Sequence, residues 1–158
     1  MGAVMYQQAI QELNERFRRQ IPLTAHLDLR ITAWDGCSLC MAAPLAPNRN
    51  DKGTGFAGSI ASLATFAGWA LLTLAIEERC GTAQVAVYRS EIRYRRPIDG
   101  DFEARCCLPD AVQLESFWQA LRDTGQGRLE LAVSVVQGGE EKVQFQGAYA
   151  VSLMAEPS

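Results

Sequence analysis

Phe56-Ala-Gly-Ser-Ile-Ala-Ser-Leu-Ala-Thr-Phe-Ala-Gly-Trp-Ala-Leu-Leu-Thr-Leu-Ala-Ile76 carries no charged residue, and the uncharged run already begins at Gly53. By length it could cross a bilayer. More than half of it is Gly, Ala, Ser or Thr, however, and its flanks read as an amphipathic helix and strands rather than as further spans. The expectation is therefore a soluble chain with no membrane span. In such a chain a helix apolar on every side must be wrapped by other elements, and its small residues let a sheet approach closely.

Upstream, Tyr6, Ile10, Leu13 and Phe17 recur at helical spacing, with Pro22 just beyond, which predicts an amphipathic first helix. Leu27, Leu29, Ile31 and Ala33 then alternate with Asp28, Arg30 and Thr32. Asp35-Gly36 is a turn signal before Cys37-Ser-Leu-Cys-Met-Ala42, so a hairpin is expected. Downstream, Ala83 to Arg96 and Asp101 to Leu108 read as strands separated by Pro97 and Asp99-Gly100. Pro109 and Asp110 open a short helix with Leu114, Phe117, Trp118 and Leu121 on one face and Gly125 as its stop. Leu129 to Val135, the Gly138-Gly139 turn and Val143 to Leu153 make a last long hairpin.

The order is helix, hairpin, long buried helix, then four strands with one short helix inserted. A strongly twisted antiparallel sheet curled around one all-apolar helix satisfies it. The fold class expected is α+β, a hotdog fold, with a curved antiparallel sheet wrapped around a long central helix. Layouts with helices on an open sheet face would leave an apolar stripe in water.

Composition agrees with one soluble globular domain over 1–158: 158 residues, 48% hydrophobic and 21% charged. Fifteen Lys and Arg against eighteen Asp and Glu give a net charge of −3, which argues against bulk binding to nucleic acid. Five cysteines, and no basic segment leading into an apolar run before Gln8, suggest reduced thiols in the cytoplasm. Met1-Gly2 lacks the Ser or Thr that a myristoylation motif wants, since Tyr6 stands there.

Cys37 and Cys40 have half a zinc spacing, but on a strand they face opposite ways and no second pair matches; no metal is expected. His26, the only histidine, stands at the start of a strand with no motif around it. Gly53-Thr-Gly-Phe-Ala-Gly58 has dinucleotide-loop spacing without the βαβ frame that gives it meaning.

The chemistry is sought just before the buried helix, in Pro44-Leu-Ala-Pro-Asn-Arg-Asn-Asp-Lys-Gly-Thr-Gly-Phe-Ala-Gly-Ser59. A helix start offers unsatisfied N–H groups and a partial positive charge to a carbonyl oxygen gaining negative charge. Asn48, Asn50 and Asp51 are within reach of it, and the same residues would serve equally as caps and turn formers.

This segment, with Ser62-Leu-Ala-Thr65 and Gly68-Trp69, resembles the hotdog thioesterase domain of the YiiD C-terminal type. The resemblance extends more loosely over residues 10 to 153, through Ile92-Arg-Tyr-Arg-Arg-Pro-Ile-Asp-Gly-Asp101. That domain occurs alone or behind an acetyltransferase-like domain, and this chain reads as the hotdog part alone. The resemblance implies an acyl thioester of acyl carrier protein or coenzyme A as substrate, and a homodimer or dimer of dimers with sites at subunit junctions. It implies no cofactor beyond the phosphopantetheine arm that the substrate itself brings.

On the family pattern Asn50 falls at an active-site Asn, and Phe56-Ala57-Gly58 at the His-Gly-Gly helix start. The helix position that holds an Asp or Glu base is Thr65 here, and Phe56 to Ile76 contains no carboxylate. Hydrolysis needs an activated water or a carboxylate nucleophile, for which Asp51 is the substitute. Decarboxylation of a malonyl thioester needs only donors to the enolate oxygen and a grip on the carboxylate. Relatives resemble malonyl-acyl carrier protein decarboxylases of fatty-acid initiation, so decarboxylation is preferred, ahead of hydrolysis and of a non-catalytic acyl-thioester sensor.

Asn50 leads Asn48 as the side-chain donor, and the backbone N–H groups of Ala57 and Gly58 are expected to hold the oxyanion. Phe56 and Ser59 are assigned to substrate contact. Ser59, Ser62 and Thr65 could instead spend their hydroxyls on their own helix. Arg89, Arg93 and Arg95 alternate along a strand with Glu91 between. They would grip phosphates or an acidic carrier, or else form a solvated face neutralised by Asp99, Asp101 and Glu103.

Overall fold

The computed structural model describes residues 2–155; Met1 and residues 156–158, which the 1–158 domain reading includes, lie outside the described residues. The chain runs α1 (Gly2–Gln20), α2 (Pro22–His26), β1 (Arg30–Trp34), β2 (Ser38–Ala43), a 3₁₀ turn (Ala46–Asn48), α3 (Ala57–Arg79), β3 (Ala83–Tyr94), β4 (Phe102–Cys107), α4 (Ala111–Thr124), β5 (Gln126–Gln137) and β6 (Glu140–Leu153). The six strands form one antiparallel curved sheet in the order β1-β2-β4-β5-β6-β3 around the central α3, which is the hotdog architecture.

Strand alternation decides which face holds the helix. Leu39, Met41 and Ala43 of β2, Phe102, Ala104 and Cys106 of β4, and Leu129, Leu131, Val133 and Val135 of β5 are buried, while their neighbours along each strand are more exposed. Against them lie Leu63, Ala67, Leu71 and Leu72 of α3, all fully buried. Each fully buried Leu contributes about 1.5–3 kcal/mol relative to exposure. The most apolar window of α3 is 72% buried; its hydropathy is that of a core helix.

α3 and the sheet meet closely at Gly68. The Tyr149 phenol occupies the space a Cβ there would need, and its hydroxyl donates to the Thr65 carbonyl at 2.7 Å. The caps of α4 follow the sequence: the Asp110 side chain accepts from Gln113 N at 3.0 Å, and Gly125 ends the helix at φ 74°.

Four local expectations are corrected. Pro22 does not simply end helical structure; its fixed φ suits a helix start, and it opens α2. His26 consequently closes α2 instead of starting a strand. Leu27 and Leu29 precede β1, which begins only at Arg30 after Asp28 turns at φ 53°. A bulge between Ile31 and Ala33 then shifts the alternation, so that Trp34 is buried and Ala33 exposed.

Candidate functional site

The loop from Pro44 to Phe56 is folded by its asparagines. Asn48 is 1% exposed, and its amide donates to Leu27 O at 2.9 Å and Pro44 O at 2.7 Å. Its main-chain carbonyl accepts from Phe56 N at 2.7 Å. One buried residue thus ties the approach to β1 and the end of β2 through its side chain, and the start of α3 through its main chain. Asn48 Oδ1 is buried without a partner among the described residues.

Asn50 closes the loop tip. Its Oδ1 accepts from Lys52 N at 2.9 Å and Thr54 N at 3.1 Å, and its Nδ2 donates to Thr54 Oγ1 at 2.9 Å and Gly55 O at 3.3 Å. Gly53, at φ 82°, supplies the reversal. Asp51 points away into solvent, with its side chain 82% exposed and 3.1 Å from Lys52 Nζ.

None of these side chains caps α3. Its N-cap is Phe56, without a side-chain cap bond, and the first intrahelical bond runs from Ile60 N to Phe56 O at 3.0 Å. The N–H groups of Ala57, Gly58 and Ser59 consequently have no partner among the described residues. They lie where helix geometry leaves donors unsatisfied. Ala57, Gly58 and the 53% exposed Phe56 are open to solvent, whereas Ser59 is buried.

From β3, Tyr94 donates its hydroxyl to Ala57 O at 3.0 Å. Partial burial pushes that phenol up, which keeps it a donor. The Tyr94 tether was not legible in the sequence, because it joins residues 37 positions apart.

Along α3, Gly58, Ser62 and Thr65 share a face, and Ser62 spends its hydroxyl on Gly58 O at 2.8 Å. Ala61, Ser62, Thr65 and Phe66 form one wall of a cleft of about 280 Å³. The facing wall is Ile21, Leu23, Thr24, Leu27 and Leu29. No sequence signal points to the cleft, since its second wall reads as a helix stop and a strand.

The arginines are placed elsewhere. In the β3–β6 register Arg89 and Arg93 lie opposite Ala148 and Gln144, on the sheet face away from α3. Arg89 pairs with Glu130 at 2.9 Å and Arg93 with Glu91 at 3.4 Å. The neutralising partners are thus these glutamates, not Asp99, Asp101 or Glu103. Within one chain the sheet separates both arginines from the α3 start. Arg95 follows β3, with its backbone N–H bonded to Lys142 O at 2.9 Å.

The cysteines are all free thiols. Cys106 is the buried one; its Sγ lies 3.6 Å from Ala67 O, and burial pushes it up to about 12.

Comparison with known proteins gives a consistent result. The profile of the family described as "Putative thioesterase (yiiD_Cterm)" matches residues 10–153. A protein of unknown function from Chlorobaculum tepidum superposes with a TM-score of 0.86 at 28% identity, covering 94% of this chain and 96% of the other. A putative thioesterase from Shewanella oneidensis gives 0.85 at 26% identity, covering 94% and 99%. A thioesterase from Haemophilus influenzae shares the fold with a TM-score of 0.72 at 14% identity, covering 94% of each chain.

Proposed function

The chain belongs to the yiiD_Cterm family of putative thioesterases, and from that footing we propose that it is an acyl-thioester enzyme that decarboxylates the malonyl group of a carrier-linked thioester to acetyl. The observation that carries this reading is a donor site without a base. Three N–H groups without a partner among the described residues stand at the α3 start, no carboxylate occurs on α3 before Glu77, and Asp51, the one carboxylate of the loop, is turned to solvent.

The thioester oxygen sits against the N–H groups of Ala57 and Gly58. The bond between the malonyl methylene and its carboxylate breaks, and the electron pair moves into the enolate, whose charge resides on that oxygen. CO₂ leaves, water returns a proton to carbon, and the carbon–sulfur bond is never broken. Preorganised donors of this kind are each worth ~10²–10³ in rate.

Asn50 serves as the carboxylate donor through the N–H that spans 3.3 Å to Gly55 O, a long bond that substrate can replace. Asn48 positions: both of its N–H groups are committed inside the fold. The phosphopantetheine arm of acyl carrier protein or coenzyme A delivers the substrate, and the protein needs no cofactor of its own.

A homodimer completes the site. β3 has a neighbour on one side only over 12 residues, with Val87 39% and Tyr88 49% exposed, and such an edge is a template for pairing. Because Tyr94 of this strand touches Ala57, edge-to-edge pairing brings the partner close to the α3 start.

Hydrolysis is the second reading, favoured by the thioesterase name of the Shewanella relative; Asp51 would then be the base. Release of labelled CO₂ from a carboxyl-labelled malonyl thioester tests the first reading. Release of free thiol without CO₂ would replace it with the second.

A further inference from the structure

Tyr94 is the last residue of β3, and its backbone is fixed against β6. It pairs with Val143, and the next two N–H groups, those of Arg95 and Arg96, both donate to Lys142 O, at 2.9 and 3.1 Å. Strand alternation, shared with Ile92, turns its side chain toward α3, where the hydroxyl donates to Ala57 O at 3.0 Å.

Ala57 O and the Gly58 N–H are the two ends of one peptide group. Helix geometry already gives that oxygen a first donor, Ala61 N, and Tyr94 is a second. The C–N bond of a peptide has partial double-bond character, so a hydroxyl on the oxygen draws charge from the nitrogen and makes its N–H a stronger donor. Chained hydrogen bonds polarise one another by about 10–30% per bond. The tether also fixes the plane of this peptide, and with it the direction of the N–H.

The neighbouring donors differ. The Ala57 N–H belongs to the Phe56–Ala57 peptide, whose carbonyl takes Ile60 N at 3.0 Å and, among the described residues, no hydroxyl. Ser62 donates to Gly58 O at 2.8 Å, but from one turn along its own helix, a common local bond, and the N–H behind that carbonyl is the one of buried Ser59. Among the described residues, Gly58 is thus the solvent-open donor that a hydroxyl from another element backs. A Cβ at Gly58 would run into the Phe56 ring, so glycine presents this N–H with the ring in place.

We infer that Tyr94 is a positioning residue for the reaction: through the Ala57 carbonyl it aims and strengthens the Gly58 N–H that receives the developing enolate charge. This rests on the reading of the α3 start as the thioester site. Tyr94 acts on the donor from behind and touches no reacting atom. Its effect grows with the charge on the thioester oxygen, so it falls on the transition state and belongs to kcat more than to KM.

Tyr94→Phe keeps the ring and removes the hydroxyl, and at 48% exposure the change leaves the core untouched. If the donor is worth ~10²–10³ in rate and about 10–30% of that free energy comes from behind, kcat should fall about two- to eightfold at unchanged KM. In amide NMR spectra the Gly58 nitrogen resonance should move in this variant while that of Ala57 stays, a readout independent of turnover. Site-specific incorporation of a ring-fluorinated tyrosine at position 94 separates polarisation from a mere staple, because it keeps the tether with a more acidic hydroxyl. Assayed on the acid side of neutrality, where the phenol stays protonated, it should raise kcat above wild type at an unchanged melting temperature. Full kcat in Tyr94→Phe, an unmoved Gly58 resonance, or a fluorinated protein no faster than wild type would overturn the inference, while wild-type malonyl turnover would leave the α3 start standing as the site. Release of thiol in place of CO₂ by wild type would remove the decarboxylase reading alone; the oxyanion of hydrolysis would rest on the same donor, and the same comparisons decide Tyr94 there. A wild type inert toward both reactions would overturn both readings.

Discussion

Asn50 and Thr54 grip one another at both ends of the Asn side chain: Nδ2 donates to Thr54 Oγ1 at 2.9 Å, while Oδ1 accepts from Thr54 N at 3.1 Å. The residue proposed to hold substrate is also the one that closes its own loop. Alanine would remove both roles together. Asn50→Asp separates them in part: the carboxylate keeps the acceptor for Lys52 N and Thr54 N and can accept from the Thr54 hydroxyl, while it loses the donor and sets an oxygen against Gly55 O. The variant should melt within about 1 kcal/mol of wild type and lose ~10²–10³ in kcat. Calorimetry and turnover on the same preparation check this, and full activity would move the donor role elsewhere.

Arg89 and Arg93, each committed to a glutamate on the outer sheet face, should tolerate replacement. Exposed pairs of this kind contribute about 0–1 kcal/mol. A double Arg89→Ala, Arg93→Ala variant is expected to keep KM for the carrier-linked substrate and the wild-type melting temperature. A several-fold rise in KM would mean that a partner chain brings this face to the site.

Gly68→Ala should cost about 1–3 kcal/mol by urea unfolding, since the new methyl displaces the Tyr149 phenol. Combined with Tyr149→Phe, which removes the hydroxyl nearest the intruding carbon, the double variant should cost less than the sum of the two single variants. Simple additivity would show that the contact is not the source of the strain.

Asp35 gives a pH signature. Its carboxylate accepts from Ser38 N at 2.7 Å and Cys37 N at 2.9 Å, bonds that hold it below its ordinary value. Its folded pKa is depressed, so the stability it adds is fully present above the unfolded value of about 3.9 and is lost as pH falls through the lower folded value. Chemical denaturation of wild type and Asp35→Asn from pH 2 to 7 should show a gap that closes only in that acid window. A gap constant across the range would contradict it.

The elements set by local chemistry were readable from the chain. An uncharged run announces α3, Asp110 and Gly125 bracket α4, and Gly138-Gly139 turns β5 into β6 at φ 58° and 80°. The misreadings occur where one residue type serves two ends or where a partner is distant. Pro22 suits a helix start as well as a stop, and the bulge after Ile31 turns Trp34 inward against the alternation. At the site, the asparagines and the bare helix start could be named in advance, but the sorting of Asn48 inward and Asn50 to the tip could not. That sorting depends on the carbonyl of Leu27, 21 residues away. The arginine row was visible as a row, yet Glu130, which neutralises Arg89 from 41 residues away, was not.

The most direct measurement is intact-mass spectrometry of malonyl-acyl carrier protein after incubation with the purified protein. Malonyl-acyl carrier protein should become acetyl-acyl carrier protein with the thioester intact, and an Asp51→Asn variant should retain this conversion. Appearance of the free phosphopantetheine thiol in place of the acetyl form, abolished by the same substitution, would contradict it and make the protein a hydrolase.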